Sequence, residues 1–439
     1  MFISASNISF AKDDWALAER IVTKIRLPDI PKRDFIVTDF GAAGDGKTDS
    51  RPAILAAIKK AGEAGGGRVV LPKGIWLSEG PIHLKSKINL HISEGATLLF
   101  SIQPKDYLPV VRTRWEGTEL YSYSPLIYAY QVHDVAITGK GTIDGNNNSV
   151  FHDWVRKQEN DQLKLRHMGN GGAPVEKRIF AEGTYLRPSM LQIFEAERVL
   201  LEDYTIINSP FWVNHLVFTD HAVVRRLTVD SHRANNDGVD IDSSRYVLIE
   251  NNRFRTGDDS VVVKSGRDLD GRQRGRPSEH VVVRNNDMGG EDGIALGSEM
   301  SGDIRYVFFT DNILRQGASA IRFKSNLDRG GVVEHIRVRN FKVESFKNLF
   351  WFQLDYPGLL GGGHPAIYRD IIFEDFTVEH AGTVFEAHAP DESPLRDVTL
   401  RNIDIRNADR PLVLENVEGL TLENVKIGDQ TVTGVLSWK

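Results

Sequence analysis

The sequence contains no cysteine among its 439 residues, which excludes disulfide frameworks, thiolate zinc sites and cysteine nucleophiles. It also has no apolar run that approaches the roughly 18 residues needed to span a membrane, so we expect no membrane partner. Residues 1–10 lack the basic segment followed by an apolar segment that is typical of a secretion signal. We therefore expect either a cytoplasmic protein, or a periplasmic or secreted one whose signal is not present in this chain.

The chain has little excess charge of either sign. It carries 54 Lys and Arg against 60 Asp and Glu, a formal net charge of −6. Such mild acidity provides no positively charged surface for nucleic acid, so we expect no nucleic-acid partner. Hydrophobic residues make up 41% and charged residues 26%, which is enough apolar material for a packed core and too much for a disordered chain. Any anionic ligand must therefore bind at a local cationic site.

A short unit recurs through most of the chain. Each copy has an apolar-x-apolar strand, a polar residue and then Asn or Asp, and it ends two or three residues later on another apolar position. Eight copies occupy residues 199–206, 247–254, 281–288, 307–314, 336–343, 371–378, 398–405 and 420–427. The Asn or Asp falls at positions 203, 251, 285, 311, 340, 375, 402 and 424, and Arg226 takes this place in one further copy. The closest copies are 22 to 27 residues apart, which indicates one structural repeat of that length.

This repeat predicts an all-β fold. The alternation of apolar and polar residues is typical of a pair of strands, and the Asn or Asp between them indicates a sharp turn with unusual backbone angles. A single strand-turn-strand unit cannot bury its apolar side alone, so neighbouring units must stack into a solenoid, the parallel β-helix. A β-sandwich or a propeller is the alternative, but these folds need hairpin turns about every 8–12 residues or blades of about 40 residues. The sequence favours the β-helix.

Helical patterns occur near the N-terminus. Apolar residues at helical spacing in 13–25, and a second helical pattern over 49–61, predict helices that cap the first coils. We therefore expect a helical extension or cap over residues 1–33 and a single β-helix domain over residues 34–439. Residues 145–188 interrupt the repeat with polar, glycine-containing sequence. Because insertions in solenoids commonly border the binding face, this one is expected to border the cleft.

Strands of successive repeats can be aligned without gaps, and the alignment brings carboxylates together. The aligned segments are residues 238–243, 260–265, 293–298 and 320–325. Alternate positions point inward, which leaves the intervening ones, including Arg322 and Lys324, on the outer face. Asp237 comes immediately before the first segment, and Asp258 and Asp259 lie just before the second. Because adjacent rungs are about 4.8 Å apart, the three carboxylates are expected to cluster.

Clustered carboxylates indicate acid–base chemistry. Like charges hold a proton on one member, and a general acid needs such a proton near neutral pH. Inverting glycoside hydrolysis uses one carboxyl as an acid and another as a base. The two are about 6.5–9.5 Å apart, which leaves room for the attacking water. Arg322 and Lys324, about two rungs away, suit a sugar that carries a carboxylate. The histidine spacing indicates no metal site, and we expect no metal or other cofactor.

The site residues resemble a known family. Three motifs carry the resemblance: Asn235-Asn236-Asp237-Gly238, Gly257-Asp258-Asp259 and Arg322-Phe323-Lys324. They are similar to motifs of the polygalacturonase-type glycoside hydrolases, family 28, whose fold is a right-handed parallel β-helix. The resemblance runs from about residue 34 almost to the C-terminus. The insertion and the segment 297–302 resemble the bacterial, exo-acting members, so the resemblance implies exo action.

The resemblance also implies a role for each site residue. Asp258 would be the general acid, and Asp237 and Asp259 would hold the nucleophilic water as base, with inversion. The residues implied to bind the substrate are Asn235, Arg322, Lys324 and Tyr356, with the two cations on the galacturonate carboxylate. Four arginines in residues 266–278 either help to bind an acidic polymer or belong to a solvated loop.

One motif departs from the family. Where the family has Gly-His-Gly, this chain reads Gly290-Glu291-Asp292-Gly293, so Glu291 or Asp292 replaces the histidine. We expect both carboxylates at the substrate site, where they would raise the pKa of the general acid and disfavour an anionic sugar. The expected substrate is an α-linked pectic polysaccharide or oligogalacturonide that contains galacturonic acid, and this departure leaves the exact glycan open.

Two other functions also fit the sequence. A calcium-dependent, pectate-lyase-like enzyme shares the fold and would use Lys264 or Arg322 as the base for β-elimination. A non-catalytic, carbohydrate-binding β-helix is the second, and the missing histidine favours it slightly. Unsaturated products would identify the lyase, and the binding protein would show no turnover.

Overall fold

The computed structural model describes residues 6–439, with the side chains of the first helix described from Asp14 onward. The first five residues of the predicted extension lie outside the described residues. The α-helices are α1 (Ser6–Lys24), α2 (Arg51–Glu63), α3 (Glu159–Asn170) and α4 (Asp268–Arg274). No helix in the described range is both long enough and apolar enough to cross a membrane.

Strands form most of the regular structure. In chain order they are β1 (Asp34–Ile36), β2 (Asp45–Asp49), β3 (Gly67–Leu71), β4 (Gly74–Ser78), β5 (Ile82–His83), β6 (Ile88–Ile92), β7 (Ala96–Phe100), β8 (Val111–Trp115), β9 (Thr118–Ser122), β10 (Ile127–Tyr130), β11 (His133–Thr138), β12 (Thr142–Asp144), β13 (Ile179–Phe180), β14 (Leu191–Phe194), β15 (Glu197–Glu202), β16 (Thr205–Ile207), β17 (Asn214–Val217), β18 (Asp220–Arg225), β19 (Thr228–Ser231), β20 (Val239–Asp242), β21 (Arg245–Glu250), β22 (Arg253–Thr256), β23 (Val261–Lys264), β24 (Ser278–Arg284), β25 (Asp287–Gly289), β26 (Asp292–Leu296), β27 (Ile304–Thr310), β28 (Ile313–Lys324), β29 (Val332–Gln353), β30 (Ile367–His388), β31 (Leu395–Arg396), β32 (Val398–Glu415), β33 (Val417–Ile427) and β34 (Gln430–Trp438).

The strands stack into a solenoid with three parallel faces. The first face contains β1, β3, β6, β11, β15, β18, β21, β24 and β27. The second contains β2, β4, β7, β12, β16, β19, β22 and β25, and the third contains β5, β10, β14, β17, β20, β23 and β26. Long strands from β28 onward bend at the turns and continue these faces, and β34 closes the C-terminal coil as an antiparallel strand. The predicted right-handed parallel β-helix is confirmed.

The turn between the first and second faces explains the recurring Asn or Asp. All nine predicted turn positions have a positive φ, from 51° at Asn402 to 73° at Asp203. Asn and Asp enter this left-handed region more readily than other residues with a side chain. Arg226, with φ of 55°, adopts it as the exception. The prediction of unusual backbone angles at these positions is therefore confirmed.

An asparagine ladder lies next to these turns inside the solenoid. Asn252, Asn286 and Asn312 are all buried and occupy equivalent positions in successive coils. The Oδ1 atom of Asn286 accepts hydrogen bonds from the backbone N–H and the side-chain amide of Asn252, both at 2.9 Å. Asn312 in turn accepts from the backbone N–H of Asn286 at 2.9 Å. The ladder satisfies buried peptide groups that the sharp turns leave without a strand partner.

The core is a continuous column of aliphatic and aromatic side chains inside the coils. Helix α2 covers its N-terminal end, where the fully buried Ile54 and Ile58 join the same apolar cluster as Val69 and Leu71 of β3. Covering this end matters because the first coil has no preceding neighbour to bury its apolar side.

Helix α1, which lies within the helical extension or cap predicted for residues 1–33, does not cover the end of the solenoid. It lies against the outside of the first face, where Trp15, Ala18 and Ile21 pack on outward-facing residues of β18, β21, β24 and β27. These outward positions carry Val223, Leu248, Val282 and Phe308. Such an apolar stripe needs cover, and the amphipathic helix supplies it. The helical spacing predicted the helix, but it contained no information about which surface the helix covers.

The insertion over residues 145–188 packs outside the third face. Its strand β13 pairs with β9 of the β8–β9 hairpin. Its residues Leu165 and Phe180 join an apolar cluster with Trp115 and Phe211. The rings of Trp115 and Phe211 are stacked with their centroids 5.2 Å apart. This packing holds α3 over the third face.

We expect Asn286→Ala to destabilise the solenoid. The substitution removes the acceptor of two buried N–H groups of Asn252, and each unpaired buried group costs about 1–3 kcal/mol. The midpoint of denaturant-induced unfolding should therefore fall clearly. Asn407→Ala, at an exposed position of β32, is the matched control and should change the free energy of unfolding by less than about 0.5 kcal/mol. Equal effects of the two variants would contradict the structural role of the ladder.

Candidate active site

The site lies on the third face. The register of its strands is the one predicted by aligning the repeats of this chain with one another. Val239 of β20 pairs with Val261 of β23, which pairs with Ile294 of β26, which pairs with Ile321 of β28. These four side chains are buried in the core. The intervening positions therefore face outward, and the residues just before each strand lie at one edge of the same face.

Asp237, Asp258 and Asp259 come together at this edge. One carboxylate oxygen of each lies within 4.8 Å of an oxygen of the others. Asp237 and Asp259 are 2% and 1% exposed, whereas Asp258 is only half-buried. The cluster is tighter than the separation of about 6.5–9.5 Å that the sequence analysis expects for an inverting acid and base. It is tighter because Asp258 and Asp259 are chain neighbours and Asp237 lies one rung away.

Burial raises the pKa of two of these carboxyls. The pKa of Asp237 is held well above its ordinary value by burial and by the neighbouring Asp240 and Asp258. Burial raises the pKa of Asp259 to about 7, although Lys324 opposes this shift, and Asp258 adds to it. The cluster therefore retains protons at pH values where exposed aspartates have lost them. The contribution of Asp259 to stability is present at acidic pH and is lost as the pH rises through about 7.

Lys324 and Arg322 are bound to carboxylates within the site. The Nζ atom of Lys324 lies 3.0 and 2.9 Å from the two carboxylate oxygens of Asp259. Arg322 donates to Asp292 at 2.9 Å and to Gln353, and its guanidinium lies 4.1 Å from the ring centroid of Trp351. The two predicted cations therefore lie beside the carboxylate cluster, with Lys324 in direct contact with it.

Glu291 and Asp292, the two residues at the altered motif, occupy different environments. Glu291 is exposed and lines the cavity. Burial raises the pKa of Glu291, and so do Asp258 and Asp292. Asp292 is 1% exposed, and its carboxylate lies 2.9 Å from Arg322 and 3.7 Å from Lys324.

Asp292 is also among the residues predicted to bind the substrate. Its side chain does not line the cavity because it is turned toward Arg322 and Lys324. Burial alone would raise its pKa, but Lys324 and Arg322 outweigh burial and lower it. Asp292 therefore remains an anion that orients Arg322 and Lys324, the two predicted binding groups.

Asn235 and Tyr356, the remaining predicted residues, also line the cavity. The side-chain amide of Asn235 donates to Asp258 at 3.4 Å, and its oxygen accepts from Arg187 at 2.5 Å. The guanidinium of Arg322 lies 5.9 Å from the ring centroid of Tyr356. The structure thus brings all the predicted residues except Asp292 to the wall of one cavity.

This cavity has a volume of about 580 Å³ and is lined mainly by polar side chains. Its wall includes Gln158, Gln162 and Arg166, which come from the insertion over residues 145–188. Of the four arginines in residues 266–278, Arg267 lines the cavity, while Arg274 and Arg276 bind Glu195 and Asp220 outside it. The sequence offered no means of separating Arg267 from its neighbours, because only the loop conformation distinguishes them.

The cavity also contains a second ion cluster, which was not predicted from the sequence. Lys264 is 3.1 Å from Glu299 and 3.9 Å from Asp237. Burial alone would lower the pKa of Lys264, but Glu299 and Asp237 outweigh burial and raise it well above its ordinary value. Arg267 also binds Glu299, at 3.2 Å. The outward position of Lys264 in the aligned strands indicated that its side chain faces the site. Glu299 lies after the end of a strand, so the strand alignment could not predict its position.

Asp240 and Asp242, two residues apart on β20, differ in their partners. Both are fully buried. Asp242 lies 3.1 Å from Arg114 and 3.4 Å from His215. Neither carboxylate oxygen of Asp240 has a hydrogen-bond partner among the described residues, and burial raises its pKa well above the ordinary value. Asp242 is therefore a buried anion with partners, whereas burial favours the protonated form of Asp240.

The three clustered carboxylates also have the spacing of a candidate metal site. However, Lys324 contacts both carboxylate oxygens of Asp259, so an ammonium group already supplies positive charge at that position. The arrangement is suited to proton transfer next to a bound anion, with the charge balance provided by side chains.

Comparison with known proteins identifies relatives of this chain. The model of the glycosyl hydrolases of family 28 matches residues 110–426, and a model described as rhamnogalacturonase A/epimerase, pectate lyase-like, matches residues 35–92. The crystal structure of a hyperthermoactive exopolygalacturonase from Thermotoga maritima is 37% identical. The match covers 97% of this chain and 100% of the exopolygalacturonase chain, with a TM-score of 0.93.

Two curated bacterial proteins are also similar. An endo-polygalacturonase of Pectobacterium carotovorum subsp. carotovorum is 27% identical over 84% of this chain and 88% of that protein. An exo-poly-alpha-D-galacturonosidase of Dickeya chrysanthemi is 28% identical over 71% of this chain and 55% of that protein.

We expect Asp240→Asn and Asp242→Asn to have different effects on stability. Asparagine resembles the protonated Asp240, so the first variant should unfold within about 1 kcal/mol of the wild type at pH 7. The second variant leaves Arg114 without its buried anion, and breaking such a pair costs about 3–5 kcal/mol. Denaturant-induced unfolding of both variants measures the difference. Equal losses of stability in the two variants would contradict the expected difference between Asp240 and Asp242.

Proposed function

The chain belongs to the glycosyl hydrolases of family 28, and on this basis we propose that it hydrolyses galacturonan and releases sugar from one chain end. The juxtaposition of three carboxylates with Arg322 and Lys324 in one cavity carries the proposal. Carboxyl groups can supply the acid and the base, and cations can bind the carboxylate of the sugar. The predicted family and enzyme class, a glycoside hydrolase, are confirmed by the family match.

Asp258 is the proposed general acid. It is the half-buried member of the cluster, so its carboxyl can reach a glycosidic oxygen in the cavity. Its Oδ1 atom accepts from the backbone N–H of Asp259 at 2.9 Å, and its other oxygen accepts from Asn235 at 3.4 Å. These contacts orient the carboxyl for proton donation to the leaving sugar.

Asp237 and Asp259 are the proposed base and bind the attacking water. Their pKa values are raised, and a carboxylate with a pKa of about 7, as for Asp259, is a stronger base than an exposed aspartate. A covalent nucleophile would need an ionised oxygen open to the sugar. Lys324 contacts both oxygens of Asp259, and Asp237 is buried, so both are better placed to hold a water. Although the carboxylates are closer than about 6.5 Å, the burial of Asp237 and the contact of Lys324 with Asp259 favour a bound water over a covalent nucleophile, and therefore inversion.

Exo action follows from the shape of the cavity. The insertion over residues 145–188 contributes Gln158, Gln162 and Arg166 to its wall, which narrows what would otherwise be an open groove along the solenoid. A volume of about 580 Å³ is in the range of pockets that enclose a small ligand. We infer that this cavity accepts the end of a galacturonan chain.

Neither of the two bases predicted for β-elimination, Lys264 and Arg322, is free to accept a proton. Lys264 is ion-paired to Glu299, and its pKa is raised, so it remains protonated at neutral pH. Arg322 is held by Asp292 and Gln353, and a guanidinium is a poor proton acceptor. Family membership and these two side chains together favour hydrolysis.

The direct test is incubation of the protein with trigalacturonate and with de-esterified polygalacturonate, with and without a chelator. We expect monogalacturonate as the first product from both, new reducing ends, and no ultraviolet absorbance from unsaturated sugar. Asp258→Asn should lower kcat on the order of 10²–10⁴-fold, the usual contribution of a general acid. Asp230→Asn, at an exposed carboxylate seven residues before Asp237, is the control and should retain wild-type activity. Larger oligomers as first products would contradict exo action, and unsaturated products would contradict hydrolysis.

The stereochemistry of the product tests the role of the water. Inversion of an α-linkage should release the β-anomer of galacturonate first, because water attacks from the face opposite to the leaving group. Proton NMR during the first minutes of reaction, before mutarotation, distinguishes the anomers. Initial release of the α-anomer would instead identify one aspartate as a covalent nucleophile.

A further inference from the structure

A group of three arginines forms part of the cavity wall. Arg166 comes from α3 of the insertion, Arg267 from the loop after β23, and Arg329 from the loop after β28. All three line the cavity, and their side chains are only 6%, 8% and 1% exposed. Three guanidinium groups are therefore buried together at one site, although nothing in the aligned strands relates them.

Two of these arginines have strong partners within the protein. Arg267 lies 2.7 Å from Glu116 and 3.2 Å from Glu299. Arg329 donates to Asp268 at 2.5 Å and to the backbone oxygen of Ser298 at 2.7 Å. Their charges are thus compensated by carboxylates that hold them in fixed positions.

Arg166 lacks such partners. Its Nε and Nη2 atoms are buried, and neither has a hydrogen-bond acceptor among the described residues. The nearest carboxylates, Asp268 and Asp328, are 3.6 and 3.7 Å away. Arg329 binds the Oδ1 atom of Asp268, and the Oδ2 atom lies 3.6 Å from Arg166, beyond hydrogen-bond distance. Asp328 accepts backbone N–H groups of residues 359, 360 and 362. A buried guanidinium without acceptors is costly, so its presence indicates a ligand that would satisfy it.

The electrostatic environment supports this interpretation. Burial lowers the pKa of Arg166 to about 10, and the neighbouring Arg267 and Arg329 add to the effect. The positive charge of Arg166 is thus under-compensated in the free protein. A carboxylate that entered the cavity would compensate the charge and accept hydrogen bonds in the bidentate geometry that guanidinium groups favour.

We propose that Arg166, supported by Arg267 and Arg329, binds the carboxylate of the galacturonate at the non-reducing end of the substrate. This inference rests on the proposed function of the cavity. Arg322 and Lys324 serve the sugar on the leaving-group side, so the cavity has a second cationic group for the carboxylate of the terminal sugar. Because Arg166 belongs to the insertion that narrows the cavity, the same element restricts access and selects an acidic chain end.

Ligand-induced stabilisation tests this subsite without relying on turnover. Galacturonic acid should raise the melting temperature of the wild-type protein, and galactose, which lacks the carboxylate, should not. In Arg166→Met the shift with galacturonic acid should be lost, whereas Arg166→Lys should retain part of it. The unliganded Arg166→Met protein should melt no lower than the wild type, because the removed charge is under-compensated. Arg166→Gln, which keeps a polar side chain, provides the same comparison if Arg166→Met fails to fold.

Kinetics with trigalacturonate provide a second readout. Removal of one partner of a buried charge pair should raise KM at least about tenfold in Arg166→Met, with a smaller change in kcat, since the carboxylate is bound in both ground and transition states. Arg156→Met, at an exposed arginine of the same insertion, is the matched control and should retain wild-type KM.

The outcomes separate this subsite from the proposed function. An unchanged galacturonic-acid shift in Arg166→Met, or an equal loss in Arg156→Met, would overturn the subsite. A variant that melts lower yet binds normally would show a purely structural arginine and would also overturn it. If the wild-type protein hydrolyses no galacturonan but shows an Arg166-dependent shift, the proposed function fails and the subsite stands.

Discussion

The parallel hydrogen-bond register of the third face is the constraint on which the site depends. Asp237 and the Asp258–Asp259 pair are separated by a full coil of chain, yet they meet because β20 and β23 are adjacent rungs. Arg322 and Lys324 arrive two rungs later by the same rule. A slip of one residue in any of these strands would turn the outward side chains into the core. The apolar columns of the core therefore fix the positions of the proposed catalytic groups.

The second constraint is the burial of charge. The cavity places many ionisable groups out of water, and burial of each charged group costs free energy unless an opposite charge lies nearby. Most of these groups have such partners: Lys324 with Asp259, Lys264 with Glu299, and Arg114 with Asp242. The buried groups whose charge is less well compensated lie mainly in the cavity wall. The raised pKa values of Asp237 and Asp259 suit the proposed base, and the under-compensated Arg166 is the proposed binding charge.

The altered motif changes how the cations are held. Asp292 binds Arg322 at 2.9 Å and lies close to Lys324, so it neutralises part of their charge before any substrate enters. Such a partner keeps two long side chains in place and reduces the ordering needed on binding. It also weakens attraction for an anionic sugar at that position. A second cationic group at Arg166 would offset this loss on the other side of the scissile bond.

The sequence by itself determined the solenoid, the left-handed turn positions, the strand register and the clustering of the three aspartates. These features depend on short-range periodicity and on residue types that tolerate a particular backbone, which are local properties of the chain. Only the tertiary structure decided the surface that α1 covers, the separate environments of Glu291 and Asp292, and the meeting of Arg166, Arg267 and Arg329. The last contact joins the insertion to loops more than 100 residues away. Such positions follow from how irregular segments pack on the finished solenoid, and no repeat or spacing in the sequence encodes that packing.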